Sequence, residues 1–247
     1  MNSPRKLKKS KVLFSFKKFF LNNVAAFVSD RGVDFALEKS EGFLSKQQRN
    51  ILSAHCGICV ERLRNIKQVH GRRVILLSRE SLFDPQRQRK ADGVLTANAH
   101  VPLTVRTADC LSIFIYDKKH KAIGLVHAGW KGTRKNIIIR ALELMRAKWG
   151  TNPKDLLVAF GPSIKECCYQ VGKEFLKIFP GEIQSKKDGL YLNLPLANER
   201  QLLKAGVPPK NIFDCDICTF CHPRCFSFRQ EGAKAGRMIS VMMLKPV

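Results

Sequence analysis

The chain lacks any long apolar run. None of its 247 residues falls in a stretch of about 20 apolar residues, the length that a membrane-spanning helix requires. The apolar segment 12–16 is broken by Lys17 and Lys18, whereas a secretory signal needs an apolar core of about 7–15 residues. These absences predict a cytoplasmic protein without a membrane partner. Internal repeats and low-complexity tracts are also missing, so we expect one domain over residues 1–247, with residues 1–11 as a basic tail.

Acidic side chains are scarce. The chain has 20 Asp and Glu against 44 Lys and Arg, which gives a formal net charge of +24. Such a field attracts polyanions and phosphate-bearing small molecules. The basic residues are spread along the chain instead of alternating with aromatic side chains, and no nucleic-acid-binding motif is present. We therefore expect no specific nucleic-acid partner. A non-enzymatic basic binding protein is the alternative, and it would show salt-sensitive affinity for nucleic acid.

Histidines are also few, six in all, yet two of them lie in short motifs close to a motif that holds a cysteine. The motifs are KQVHG at 67–71, TADCL at 107–111 and GLVHAGW at 124–130. They contribute His70, Cys110 and His127. Two imidazoles and one thiolate are a full set of protein ligands for a tetrahedral metal ion with one open position, as in catalytic zinc sites.

A hairpin would bring two of these ligands together. Segments 111–116 and 122–126 are rich in β-branched and aromatic residues and are separated by the polar segment 117–121. In this hairpin Tyr116 would face about Ala122, and Cys110 would lie opposite His127 to within one residue. Directly opposed residues project from the same face, with Cβ atoms about 4.5–5.5 Å apart. A slip of one residue would place the two side chains on opposite faces.

Several motifs together resemble the YfiH/YlmD family, whose members are called multicopper polyphenol oxidoreductase laccase proteins. The resemblance rests on the segments 68–71, 91–96, 102–110, 126–132, 160–172, 217–219, 226–229 and 236–238. It implies an α+β fold, with a layered core of mixed β-sheet flanked by helices. It also implies that His70, Cys110 and His127 bind the metal. We expect helices at about 46–64, 134–149, 171–179 and 196–206.

The resemblance further implies a zinc-dependent purine nucleoside phosphorylase with adenosine deaminase activity. Its expected partners are phosphate and purine nucleosides, namely adenosine, inosine, guanosine and methylthioadenosine, and we expect a monomer or a homodimer. The family's older name implies a copper-dependent polyphenol oxidase, which is the first alternative. Six histidines are few for several copper centres, and a thiolate with two imidazoles suits zinc, although copper often binds such sites more tightly. A hydrolase with Cys110 as nucleophile and a histidine as base is the second alternative, and it would work without metal.

An anion site is expected near the metal. Thr133 is placed to cap a helix that begins at about residue 134 and ends at Gly150, and a helix N-terminus with Lys131 beside it favours phosphate. The alternative is that Thr133 is only a cap and that Lys131 is solvated. Arg72 and Arg106 lie near the predicted ligands and are candidates for binding phosphate or ribose.

Two further residues are candidates with open roles. The family's N-terminal motif resembles F-S-T-R-x-G-G-V, whereas segment 27–33 here reads FVSDRGV, so Arg31 is the candidate substrate-binding arginine. Asp109 precedes Cys110, and in an extended segment its side chain points the other way. It would either orient one of the two histidines as a catalytic carboxylate or serve as a structural cap.

Nine cysteines are present, and four of them form a separate run. Cys215, Cys218, Cys221 and Cys225 have the C-x2-C-x2-C-x3-C spacing of a bacterial iron–sulfur segment. No second run exists and no proline follows Cys225, so free thiols are the favoured interpretation. An iron–sulfur cluster and a structural zinc site, with His222 as a further donor, remain as alternatives. Disulfides are not expected in a reducing cytosol.

Overall fold

A computed structural model describes residues 12–20, 23–37, 44–56, 66–77 and 89–245. Its strands are β1 (Val12–Ser15), β2 (Val24–Ser29), β3 (Val74–Leu76), β4 (Gly93–Thr96), β5 (Leu103–Thr107), β6 (Leu111–Asp117), β7 (Ala122–Ala128), β8 (Leu156–Phe160), β9 (Gln170–Val171), β10 (Ile183–Lys186), β11 (Gly189–Leu192), β12 (Ile212–Asp214) and β13 (Met238–Leu244). Its α-helices are α1 (Lys17–Phe20), α2 (Lys46–Cys56), α3 (Trp130–Arg134), α4 (Ile137–Trp149), α5 (Phe175–Ile178), α6 (Leu194–Lys204) and α7 (Phe228–Glu231). Short 3-10 turns follow at Pro153–Asp155, Pro209–Asn211 and Gly232–Lys234.

Two sheets lie face to face at the centre of the molecule. A six-stranded sheet has the order β12-β8-β6-β7-β4-β3, and a four-stranded sheet has the order β1-β2-β13-β5. In the larger sheet the outer pairs β12–β8 and β3–β4 are parallel and the inner pairs are antiparallel. A small sheet, β10-β11-β9, lies apart from both.

Alternating burial along the strands builds three apolar layers. Phe114 and Tyr116 of β6 face the four-stranded sheet, whereas Ile113 and Ile115 of the same strand face helices α4 and α6. A third layer lies on the outer side of the four-stranded sheet, where Leu52 of α2 packs. Because both faces of β6 and β7 are covered, these strands are apolar almost throughout. The order of layers is helix, sheet, sheet, helices.

The expected fold class is confirmed. The chain is α+β, with a layered mixed-sheet core flanked by helices. Helix α6 lies close to the expected 196–206, and α2 begins at Lys46 as expected. The rest of the helix expected to residue 64 and the basic tail 1–11 lie outside the described residues. The helix expected at 171–179 is wrong in its first half, because Gln170–Val171 is strand β9 and only Phe175–Ile178 is helical.

The hairpin is present, with a register one residue away from the expected one. Tyr116 pairs with Ile123, so Ser112 lies opposite His127 and Cys110 precedes the strand altogether. The expectation that Cys110 lies opposite His127 is therefore wrong.

The helix after Trp130 is also divided differently. A five-residue helix α3 starts at Trp130, and α4 begins at Ile137 after Asn136, which has a left-handed φ of 56°. Thr133 lies inside α3 and is fully buried, so its expected role as N-cap is wrong. Gly150 ends α4 in the left-handed conformation, φ 70°, as expected.

Candidate metal centre and its cavity

The predicted ligands meet at one point. One donor atom each from His70, Cys110 and His127 lies within 4.8 Å of the others. The two imidazole rings are 4.8 Å apart between centroids and nearly perpendicular, with an angle of 81°. His127 is buried at the end of β7, Cys110 is half-buried and His70 is exposed. A buried donor on one side and an exposed donor on the other leave an approach from solvent, as a site with an open position requires.

Asp92 positions two of the three donors. Its carboxylate accepts the backbone N–H groups of His70 (2.9 Å) and Gly71 (2.7 Å), and it contacts His127 Nδ1 at 2.9 Å. Asp92 is fully buried just before β4. It therefore holds the KQVHG loop in place and leaves Nε2 of His127 to face the centre, as carboxylates behind metal-binding histidines do. Burial raises the pKa of Asp92, but the hydrogen bonds from His127 and this loop outweigh it and hold the pKa below its usual value.

Gln68 fixes the same loop from the other side. Its side-chain amide donates to the carbonyl of Arg106 and accepts the N–H of Arg106, both at 2.8 Å. This reciprocal pair ties the loop to β5. His70 itself has a left-handed φ of 55°, a conformation that non-glycine residues adopt only when neighbouring contacts impose it.

The electrostatics of the site favour a Cys110 thiolate beside a protonated His127. Burial raises the pKa of the Cys110 thiol, but the charge of His127 and hydrogen bonds from both imidazoles outweigh it and lower the pKa to about 6. Burial lowers the pKa of His127, but the Cys110 thiolate and Asp92 raise it to about 9. The site therefore presents a thiolate near neutral pH, which is the form that binds metals.

Asp109 does not orient either histidine. Its carboxylate accepts hydrogen bonds from Thr219 Oγ1 and from the backbone N–H of Arg229, both at 2.6 Å. Its left-handed φ of 90° turns the chain between β5 and Cys110. Of the two expected roles the contacts of Asp109 fit the structural one, and the carboxylate bonded to His127 is Asp92. The sequence shows Asp92 only as part of a family motif, and no local signal indicates its role.

A cavity of about 910 Å³ opens beside the three donors, and all three line it. Six basic side chains line it as well, Lys67, Arg106, Lys131, Arg229, Lys234 and Arg237. Asp34 and Asp109 are its acidic lining residues, and Trp130, Tyr169 and Phe228 are its aromatic ones. A cationic cavity with aromatic surfaces next to a metal-type donor set suits a ligand that carries both an anion and a flat ring.

Arg106 is one of the six basic residues that line the cavity. Its Nη2 donates to the carbonyl of Ile66 at 3.0 Å, whereas its buried Nη1 has no hydrogen-bond partner in the described part of the chain. Burial lowers the pKa of Arg106 to about 10, with a further contribution from Arg237. A buried donor without a partner is costly.

Other predicted binding residues have different places. Arg31 pairs with Glu231 at 3.1 Å and lies 5.2 Å from the centre of the Phe226 ring, and it does not line the cavity. Arg72 is exposed and is likewise outside the lining. Thr133 is paired with Asn198 at 3.0 Å in the interior. Of the five predicted binding residues, Arg106 and Lys131 line the cavity.

The four cysteines of the run 215–225 do not form one cluster in the structure. Cys225 is 1% exposed and Cys215 is half-buried, and both pack in the apolar layer between the two sheets. Cys218 and Cys221 lie instead beside Cys167 and Cys168. The Nδ1 atom of His222 accepts a hydrogen bond from the backbone N–H of Arg224, and His222 does not belong to this group of cysteines. The two alternatives to free thiols, an iron–sulfur cluster and a zinc site built from this run alone, are therefore not supported, because only Cys218 and Cys221 of the run lie together.

Two solved structures share this fold. YlmD of Geobacillus stearothermophilus has a TM-score of 0.82, covers 91% of this chain and 93% of its own, and is 26% identical. YfiH of Bacillus licheniformis has a TM-score of 0.80 with 91% and 94% coverage and 25% identity. The layered α+β fold therefore places this chain in the structural class of YlmD and YfiH. Its His–Cys–His donor set forms a candidate metal centre in a cationic cavity.

The chain belongs to the family described as multi-copper polyphenol oxidoreductase laccase, whose model matches residues 44–245. A Bacteroides thetaiotaomicron protein named purine nucleoside phosphorylase is 33% identical over 192 residues, which are 72% of this chain and 71% of that protein. A Clostridium acetobutylicum protein with the same name is 30% identical over 238 residues, 94% of this chain and 97% of its own. No helix among the described residues is long and apolar enough to cross a bilayer.

Proposed function

We propose that this protein is a zinc-dependent purine nucleoside phosphorylase that also deaminates adenosine. The observation that carries the proposal is the placement of the His70, Cys110 and His127 donors in the wall of a cavity that is both cationic and aromatic. Two relatives over most of the chain are named purine nucleoside phosphorylase, which supports this substrate class. Adenosine, inosine, guanosine and methylthioadenosine are the expected nucleosides.

The basic side chains would hold phosphate against the ribose. In phosphorolysis a phosphate oxygen attacks the ribose carbon as the purine leaves, so phosphate must be fixed on one side of the sugar. Arg106 offers an unpartnered N–H, and Lys131 places its ammonium 5.5 Å from the centre of the Trp130 ring, at the same cavity. Fixing both reactants removes much of the entropic barrier of a two-substrate reaction.

Aromatic side chains would hold the base. Phe228 is 53% exposed although it lines the cavity, and Tyr169 lies opposite the guanidinium of Arg229 at 5.3 Å. An exposed aromatic side chain at a cavity mouth is suited to stacking on a purine. The Arg229 guanidinium is itself held by the carbonyl of Gln170 at 2.8 Å, so this wall is ordered before substrate enters.

The donor set fits zinc. One thiolate and two neutral imidazoles are common zinc ligands, and a bound zinc ion would supply a Lewis acid at the cavity and the activated water that deamination needs. The chain contributes the orientation: Asp92 fixes the tautomer of His127, and Gln68 and Asp92 fix the loop that carries His70.

The test combines metal analysis with turnover. Protein purified under reducing conditions is assayed with inosine plus phosphate and with adenosine, in wild type, Cys110→Ala and the control Cys215→Ser. We expect Cys110→Ala to lose one equivalent of zinc and all turnover, and Cys215→Ser to keep both. Full turnover in Cys110→Ala would refute the proposal.

A Cys–His hydrolase is the second candidate, because Cys110 and His127 form a thiolate–imidazolium pair. Such an enzyme would keep its activity after chelation and lose it on alkylation of Cys110. Copper-dependent phenol oxidation has less support. The described residues form two clusters that could bind a metal ion, and only one of these clusters contains histidine. A multicopper oxidase needs several copper centres with histidine ligands.

A further inference from the structure

Four cysteines from two distant segments form a second cluster. Cys167 and Cys168 lie in the turn between β8 and β9, and Cys218 and Cys221 lie in the loop after β12. Their sulfur atoms all lie within 4.8 Å of one another. Cys167 and Cys221 are exposed and the other two are half-buried, so the cluster lies at the surface.

One of two sulfur–sulfur distances in the cluster equals the spacing around a single tetrahedral metal ion, and the other is shorter. Cys167 and Cys221 are 3.8 Å apart between sulfurs, and Cys168 and Cys221 are 3.2 Å apart. Zn–S bonds of about 2.3 Å in a tetrahedron place sulfurs about 3.8 Å apart. A disulfide would need about 2.05 Å, so the four thiols are arranged as neighbours without a bond between them.

The backbone prepares the cluster before any ion binds. Ser163 and Cys218 form a parallel bridge, in which Ser163 N donates to the carbonyl of Ile217 at 3.2 Å and Thr219 N donates to the carbonyl of Ser163 at 3.0 Å. The C-x-x-C segment then turns tightly, with His222 N bonded to the carbonyl of Cys218 at 3.0 Å.

We propose that Cys167, Cys168, Cys218 and Cys221 form a structural zinc site, separate from the His70–Cys110–His127 centre. Four thiolates complete the tetrahedron, so no open position remains for a substrate. Soft thiolate ligands select zinc over magnesium or calcium. Binding forms four S–Zn bonds and releases the thiol protons to solvent, with no change in oxidation state.

The ion would hold one wall of the cavity. Thr219, between two of the cysteines, donates to Asp109, and Asp109 in turn accepts the N–H of Arg229. Tyr169 directly follows Cys168 and lines the cavity beside Arg229. Cross-linking the two loops through zinc therefore fixes the surface that we assign to the purine base. The site itself does not depend on that assignment, because it requires only the four thiols.

Zinc counting on matched variants tests the site without reference to activity. We expect two equivalents of zinc in the wild type and in Cys215→Ser, whose thiol belongs to the same sequence run but lies outside the cluster. Cys110→Ala and Cys167→Ser should each lose one equivalent, and their combination should lose both. Cys167 is exposed, so its replacement by serine leaves the interior intact. No more than one equivalent in the wild type, with none in Cys110→Ala, would overturn the proposal.

A second measurement uses the wild-type chain alone. Exposed Cys167 and Cys221 should resist alkylation by N-ethylmaleimide while zinc is bound and react rapidly once a chelator is added, as mapped by mass spectrometry. Rapid alkylation before chelation would refute the site. A Cys168–Cys221 disulfide in protein kept under reducing conditions, or iron in place of zinc in Cys110→Ala, would also refute it.

Discussion

Asp92→Asn is the change that most directly tests how the candidate metal centre is built. The carboxylate accepts four hydrogen bonds, from His127 Nδ1 (2.9 Å) and from the N–H groups of Val69 (3.1 Å), His70 (2.9 Å) and Gly71 (2.7 Å). An amide of the same shape has one acceptor oxygen and places an NH2 against a backbone N–H. We expect the loss of at least one charge-assisted hydrogen bond, which costs about 1.5–3 kcal/mol of unfolding free energy in the metal-free protein.

The loss of zinc affinity in Asp92→Asn should be larger than the loss of stability alone would cause. Without the carboxylate, the tautomer and ring orientation of His127 are no longer fixed, and the loop that carries His70 is loosened. Removal of such carboxylates weakens metal affinity by about 10–100-fold. Urea unfolding of metal-free protein measures the first effect, and competition with a zinc chelator measures the second.

Asp117→Asn is the matched control. Asp117 is also fully buried and also contacts a histidine, His120 Nδ1 at 2.8 Å, but it does not belong to the metal centre. Its loss should lower stability by a similar amount and leave zinc affinity unchanged. Unchanged zinc affinity in a folded Asp92→Asn variant would refute the role assigned to Asp92.

Three further changes test the cavity and its surroundings. Arg106→Gln should raise KM for phosphate about 10–100-fold, since a hydrogen bond to a charged group contributes about 1.5–3 kcal/mol. Phe228→Ala should instead raise KM for the nucleoside, because it removes a stacking surface for the base. Steady-state kinetics with each substrate varied in turn measure both effects, and the reverse pattern would contradict the assignment. In Gly129→Ala the new Cβ would lie 2.9 Å from the sulfur of Cys110. This overpacking should lower the free energy of unfolding by about 1–3 kcal/mol and weaken zinc affinity, as measured by competition with a chelator. Unchanged zinc affinity would show that the thiolate can move aside. Burial raises the pKa of Asp117, but hydrogen bonds outweigh it and hold the pKa below its usual value. Its stabilising contribution is therefore present above pH about 4 and is lost as pH falls through the lowered pKa; a gap between wild type and Asp117→Asn that stays constant on acidification would contradict this.

Local patterns were enough to predict much of the fold. The β6–β7 hairpin follows from two apolar segments and a polar loop, and the end of α4 follows from Gly150. The one-residue error in register arose because a turn of five polar residues does not fix which residues pair first. The division between α3 and α4 was missed because Asn136 adopts a left-handed conformation that the sequence does not require.

The three donor residues were predicted from motifs, whereas Asp92, the carboxylate that positions two of them, was not. His70, Cys110 and His127 lie in recognisable segments, but Asp92 is 22 residues from His70 and 35 from His127, and only folding brings them together. Spacing grouped Cys215 and Cys225 with the other cysteines of the run. The structure instead buries these two between the sheets and pairs the remaining two with Cys167 and Cys168.

The sequence by itself indicated the family, because its motifs are short segments that can be recognised without coordinates. The layered α+β fold and the three side chains of the candidate metal centre followed from that resemblance. Tertiary structure alone decided which carboxylate bonds to His127, which arginine has a buried donor without a partner among the described residues, and which four thiols lie together. Those relations join residues from separate strands and loops, and their distances depend on strand register and loop path, which no local pattern encodes.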